Sequence, residues 1–277
     1  MLMMRRSIKA STVGILLLFT LIILAPKSLS QQPNVDIGTQ TQQKLISVKS
    51  IISNVIFAPK GQVYFIVADP YRMRDLNNPM AAYDTASAGI IYGKTNATQN
   101  FGFDADSRWV QTDPNDPYKG KPKLSNKTLV LLGGYGVNTC VRYYEKVSGE
   151  TPLLCLVTQD VNGTIIYGFY TNKWYTKEPN AVLVAYTTPA KYDPDHRELF
   201  VIESFTDNDL NKVYILYGLG WKGTWAAGIY FKERYGEIGN LDKCCYVFEW
   251  VDKERDGYRD GYPQPDEVTM IYAYHYA

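Results

Sequence analysis

The sequence predicts an α/β domain in which a mixed β-sheet is covered by about three helices and flanked by antiparallel hairpins. Three observations point there. Residues 213–217, Val-Tyr-Ile-Leu-Tyr, form a short apolar run rich in β-branched and aromatic side chains, and residues 224–235 after it are long enough for three helical turns. Residues 129–132, Leu-Val-Leu-Leu, followed by Gly133, Gly134, Tyr135 and Gly136 and a helix over 138–147, share that strand–glycine–helix order. Both units then run into cysteine-bearing apolar segments, 152–157 and 244–250, so strand and helix signals alternate as they do in layered α/β domains.

The chain opens with the pattern of an export signal. Arg5, Arg6 and Lys9 make a basic head, residues 13–25 an apolar core, and Ser28-Leu29-Ser30 a small-residue cleavage point before Gln31. That core is shorter than the about twenty residues a membrane span needs, so membrane association is expected only through this segment where it stays uncleaved. An extracellular or cell-surface location follows. Without residues 1–30 the chain keeps 25 basic and 28 acidic side chains, a net charge of −3, which argues against nucleic acid as a partner. Residues 31–44, polar and glutamine-rich, read as a flexible lead-in. Residues 45–277 read as a single domain, long enough to bury a sizeable core. Its tyrosines, all 23 of the chain's, suit flat contacts with neighbours or sugars, and equally core positions that keep a hydroxyl wet.

Residues 62–68 give the first strong strand, closed by Asp69-Pro70. Asn78-Pro79 then offers a cap and a proline at the first helical position, and the helix runs to Tyr92 and stops at Gly93. Its alanines make it thin enough to approach a sheet closely. Residues 95–123 read as a loop, because Asp113-Pro114, Asp116-Pro117 and Lys121-Pro122 block regular structure. A connection of that length often carries a functional surface. Within it Asp104 and Asp106 read as a solvated turn or a cation site. After the first glycine unit, Asn162-Gly163 joins residues 153–158 and 164–170 as a hairpin. Residues 181–187 and 198–205 read as a second hairpin turning at 193–196, and a third joins 244–250 to 268–276 around an acidic loop.

The order Gly218-x-Gly220-x-x-Gly223 matches the dinucleotide fingerprint, and it does so at the mouth of a helix. The context argues against that fold. Only 54 residues follow Gly223, too few for the further βα units a dinucleotide domain needs, and Trp221 and Lys222 place bulk where pyrophosphate would approach. Tight turns and close helix–sheet packing account for the glycines, while the helix N-terminus stays open to an anion.

The acidic loop is the ligand-binding candidate. Asp252, Glu254, Asp256, Tyr258 and Asp260, with Gly257 at the sixth position, follow the spacing by which a turning loop surrounds calcium with oxygen ligands. Pro263 stands where the closing glutamate belongs, so Asp266 or Glu267 must close the site. A calcium loop and an ordinary charged hairpin loop both remain open. Cys140, Cys155, Cys244 and Cys245 are disulfide candidates in an exported chain, with pairing not readable from sequence. Asn96, Asn126 and Asn162 head Asn-x-Thr sequons in turns and are glycosylation candidates. No nucleophile elbow, zinc-binding His-Glu-x-x-His or phosphate loop occurs, and His196 and His275 read as surface or strand residues. No catalytic residue can be named.

The Asn-Lys-Thr-Leu-Val-Leu-Leu-Gly-Gly-Tyr-Gly-Val-Asn segment at 126–138 and the Tyr-Gly-Leu-Gly-Trp-Lys-Gly-Thr-Trp-Ala-Ala-Gly segment at 217–228 resemble the α/β modules of archaeal surface-layer proteins. In those modules a strand enters a Gly-Gly-Pro turn before a helix, and a later strand leads into a Gly-Thr-x-x-Ala helix. Here Tyr135 stands in place of the proline. The resemblance implies a non-catalytic structural or interaction protein of the cell surface that contacts other surface subunits, itself or glycans. Two other classes stay open: a secreted hydrolase of extracellular polymers, marked by a deep pocket with two carboxylates, and a solute-binding module, marked by a cleft near the glycine turns.

Overall fold

Four adjacent parallel strands and three antiparallel ones make one seven-stranded sheet, with a separate three-stranded antiparallel sheet beside it. The computed structural model describes residues 46–71, 80–172, 181–188, 196–253 and 265–274. The export segment, the lead-in, the Asn78-Pro79 cap, most of the 193–196 turn, His275 and residues 254–264 of the acidic loop lie outside them.

In chain order the strands are β1 (Val63–Val67), β2 (Asn100–Phe103), β3 (Thr128–Leu132), β4 (Leu153–Gln159), β5 (Ile165–Thr171), β6 (Leu183–Thr187), β7 (Arg197–Thr206), β8 (Lys212–Gly218), β9 (Cys245–Val251) and β10 (Val268–Tyr274). The helices are α1 (Met80–Tyr92), α2 (Thr139–Arg142, continued by a π-helical turn at Tyr143–Ser148), α3 (Trp221–Glu233) and α4 (Tyr235–Ile238). The large sheet runs β10-β9-β7-β8-β3-β1-β2, with β8, β3, β1 and β2 parallel and β7, β9 and β10 antiparallel. The small sheet is β4-β5-β6.

Every residue of β3 is buried, as are all but the first of β8. A strand covered on both faces has no solvent side to alternate towards, so it reads as a continuous apolar run. Alternate residues feed two cores. Phe65, Val130, Leu132 and Leu216 face one layer, closed by Ala88 and Ile91 of α1 and Ala226, Ala227 and Phe231 of α3. Ile66, Leu129, Leu131 and Ile215 face the other, closed by Val141 and Tyr144 around α2 and by Leu153, Phe169 and Ala185 of the small sheet. Both strand–glycine–helix units therefore form, side by side, with β3 and β8 in parallel register.

Two expectations are corrected, the first by the small sheet. Its hairpin β4–β5 turns at Asn162-Gly163 as expected, with Gly163 at φ 79°. Strands β6 and β7, however, do not pair: β6 joins β5, while β7 lies between β8 and β9 in the large sheet. Their burial explains the separation. The interior of β7 is buried throughout, which only a central strand allows, whereas β6 is half-exposed and fits a sheet with one wet face. Strand β2 is the second correction, a four-residue edge strand inside the expected 95–123 loop. Gly102 lets the ring of Trp109 lie on it, since a Cβ there would come within 2.4 Å of that ring.

Candidate functional site

The two glycine turns meet at the carboxyl ends of β3 and β8. Chain connections diverge here: α1, after β1, covers one face, and α2, after β3, covers the other. In open α/β sheets a crevice forms at such a divergence. A cavity of about 220 Å³ occupies it, lined by Asp84, Gly134, Tyr135, Gly136, Tyr167, Tyr217, Gly218, Trp221 and Thr224 among others.

Each wall has a local cause. Behind the first turn, Asn138 is fully buried and ties three elements together. Its amide donates to the carbonyls of Ile66 (3.0 Å) and Leu132 (2.9 Å), while its oxygen accepts from the backbone of Cys140 (2.9 Å) and Val141 (3.4 Å). One side chain thus caps α2 and binds the ends of β1 and β3. Asp104 completes that end, accepting from the amide of Thr139 at 2.6 Å, its hydroxyl at 2.8 Å, and the amide of Asp69 at 2.9 Å. Asp106 instead pairs with Arg108 at 2.6 Å on the surface.

At the second turn, Gly218 and Gly223 lie backbone to backbone: a Cβ on Gly218 would come within 2.3 Å of the Gly223 Cα. The helix begins at Trp221, earlier than Thr224, because the Trp221 ring stacks on Tyr83 at 4.0 Å and the Thr224 hydroxyl accepts from the Gly218 amide at 3.1 Å. The anion position at this N-terminus is filled from within. Glu198, buried on β7, accepts from the Gly223 amide at 3.0 Å, where a carboxylate meets the positive end of the helix dipole.

Asp84 is the group that sequence reading missed. It sits on α1 with 1% of its surface exposed, shares a hydrogen bond with Thr224, and leaves Oδ2 without a hydrogen-bond partner. Gly133, at φ 93°, makes room for that oxygen. Burial pushes its pKa up to about 8, the Thr224 bond pulling down and the nearby Asp104 charge adding to the rise. A signal existed. Ala81, Ser87 and Ala88 lie three and four residues away and are all buried, so Asp84 falls on the small-residue face of its helix. Behind the cavity, the Tyr217 hydroxyl bonds to buried Glu145, whose pKa burial raises to about 7 against the pull of Lys146 and of that hydroxyl.

Comparisons with protein-family models and with curated proteins find no match. The site is therefore read on its own residues.

The other expected residues take structural parts. Asp252 meets His196 Nδ1 at 2.8 Å, Glu267 accepts from the Trp250 indole and the Lys253 amide, both at 3.1 Å, and Asp266 faces the Lys253 ammonium at 3.6 Å. Glu254, Asp256, Tyr258 and Asp260 lie outside the described residues, and among the described ones no three metal-ligating side chains gather. The bridges expected among the cysteines are not formed. Cys140, Cys155, Cys244 and Cys245 are buried and remain thiols. Cys140, Cys155 and Cys245 pack as small hydrophobes in the second core, and Cys244 donates to the Tyr274 carbonyl at 3.2 Å. A wider groove of about 340 Å³ runs beside the 111–125 loop, but Lys121 and Asp209 on its rim neutralise each other at 2.9 Å.

Proposed function

We propose that this chain is an exported, non-catalytic module of a cell surface, of the archaeal surface-layer kind, whose α/β domain contacts copies of itself, other surface subunits or their glycans. One observation carries the reading: the residues behind the resemblance serve the architecture. Asn138 makes four hydrogen bonds within the fold, Gly218 and Gly223 permit backbone contact, and Thr224 accepts from Gly218. Ala226 and Ala227 are fully buried, and Gly228 lets α3 rest on Ser87 of α1. A motif committed to capping and close packing belongs to a scaffold.

Two surface features fit the same reading. Edge strand β10 exposes Met270 and Ile271, an unpaired edge suited to contact with another chain. Asn96, Asn126 and Asn162 are all exposed, in turns outside every strand and helix. Protein recovered from the surface of its own cells is expected to carry glycan at these three positions. Peptide mass spectrometry checks this, and three unmodified peptides would argue against an exported route.

The reading is tested by cell fractionation. The chain is expected in the envelope fraction as a sedimenting assembly that a calcium chelator releases, with Asp252 and Glu267 at the border of the loop that would hold the ion. A monomer found only in the medium would sink the proposal.

A further inference from the structure

The cavity between the glycine turns has no part in the scaffold described above. We propose that it is a binding site for one neutral sugar ring, laid against half-buried Tyr135 and Trp221 and hydrogen-bonded by the buried carboxyl of Asp84. The inference goes beyond the surface-module reading and does not need it, because such a site would work equally on a monomer in solution.

Size comes first. About 220 Å³ lies below the roughly 300 Å³ at which pockets for drug-sized ligands begin, so the cavity admits a single ring and not a chain of them. The walls come next. Tyr135, Tyr167 and Trp221 are half-buried and line it, giving flat amphipathic faces of the kind that meet the C–H face of a sugar while hydroxyls point elsewhere.

Charge then selects among ligands of that size. The Lys146 ammonium already lies 4.5 Å from the Tyr135 ring and the Lys222 ammonium 5.0 Å from the Trp221 ring, so an organic cation would enter beside two positive charges. An anion fares no better. Lys146 donates to the Cys155 carbonyl at 2.6 Å and lies 3.9 Å from Glu145, which commits its charge, and Lys222, held over the Trp221 ring, is not among the residues lining the cavity. What remains is a neutral ligand with hydrogen-bonding groups, and a residue lining the cavity carries an unpartnered polar atom: Oδ2 of Asp84 is buried beside Gly133 with no hydrogen-bond partner. A buried acid that keeps its proton at neutral pH can donate to a hydroxyl as well as accept from one. The described groups acting on it are the Thr224 hydroxyl from α3 and Asp104, just after β2; Tyr135 and Tyr217 also line the cavity, the Tyr217 hydroxyl being turned away to Glu145.

The experiment titrates the full-length protein at pH 6 with the methyl glycosides of glucose, galactose and mannose and with N-acetylglucosamine, following tryptophan fluorescence and melting temperature. Tetramethylammonium chloride and sodium acetate are titrated in parallel. At least one sugar is expected to bind with Kd of about 1 mM, and its affinity to fall about tenfold or more between pH 6 and pH 9.5 as Asp84 ionises. Asp84→Asn is expected to keep weak binding and lose the pH dependence. Gly136→Leu is expected to abolish binding. Gly136 is exposed, lines the cavity and has no atom within 4 Å of an added Cβ, so this variant keeps the test decisive if Asp84→Asn does not fold. The proposal is overturned if no sugar of the panel binds at about 100 mM. It is equally overturned if tetramethylammonium binds with affinity rising with pH, if acetate binds in place of the sugars, or if Gly136→Leu binds sugar as wild type does. Envelope fractionation is a separate readout, so failure here and failure of the surface-module reading are distinguishable.

Discussion

Thermal unfolding of this protein is expected to move to higher temperature as the pH is lowered from about 8 to about 5, the reverse of ordinary acid loss. The cause is a set of buried carboxyls whose desolvation outweighs their favourable partners, including the Lys146 ammonium 3.9 Å from Glu145. Burial raises Asp84 from 3.8 to about 8, Glu145 from 4.5 to about 7 and Glu150 from 4.5 to about 7, and raises Glu203 as well. Between its unfolded and folded values, each of these groups holds a proton in the folded chain that the unfolded chain has released. Their stabilising contribution is therefore complete below about pH 4 and is lost as pH rises through the folded values, about 7 to 8. One such carboxyl changes stability by about 1.4 kcal/mol per pH unit inside its window, so together they outweigh the lowered surface carboxyls Asp106 and Asp160, which water screens. Melting curves at pH 5, 6.5 and 8 and constant ionic strength check this. Asp84→Asn is expected to flatten the slope. A melting temperature that peaks near pH 8 and falls towards pH 5 would show that these acids are ionised in the fold.

Replacement of Asn138 by alanine is expected to cost about 3–7 kcal/mol, a large share of the roughly 5–15 kcal/mol that holds a domain folded. Two losses add. Removing the cap of α2 costs about 1 kcal/mol. The carbonyls of Ile66 and Leu132, at the ends of two buried strands, then lose the Asn138 amide as a donor, at about 1–3 kcal/mol each. Asn138→Asp separates the two effects, because a carboxylate can still cap the helix but cannot donate to the carbonyls. It should be nearly as damaging as alanine. Ser53→Ala, at an exposed residue whose hydroxyl donates only to the Ser50 carbonyl, is the control, expected within about 0.5 kcal/mol of wild type. Urea denaturation midpoints measure all three, and an Asn138→Asp variant as stable as wild type would remove the strand ends from the account.

Local signals located most of the fold. Residues 129–132 and 213–217 are apolar without interruption because β3 and β8 are covered on both faces, and that pattern survives in the sequence as a continuous run. The stop of α1 at Tyr92 and the Asn162-Gly163 hairpin turn were legible for a related reason: helix ends and tight turns are decided by residues close in sequence. Strand β2 was not legible, since Asn100-Phe-Gly-Phe103 has neither alternation nor length and is held by pairing with β1 and by Trp109 against Gly102. The partner of β6 was misread because adjacency in the chain favoured β7, whereas the degree of burial of each strand sent them to different sheets.

The functional residues divide along the same line. Three exposed Asn-x-Thr sites and two glycine turns are local features, and the sequence alone determined where they are and, for the glycines, that they serve packing. Which carboxyls are buried was decided only by tertiary structure. In a sequence Glu145, Glu198 and Glu203 look like any other acids of the chain, and Asp84 differs only in its small helix neighbours, because burial is conferred by what packs over them from residues far away. Asp84 owes its place to Gly133 and Thr224, Glu198 to Gly223, and Glu145 to Tyr217. Hydrogen bonding within a helix or a tight turn is a property of neighbouring residues, but the removal of a charge from water is a property of the whole packed volume around it.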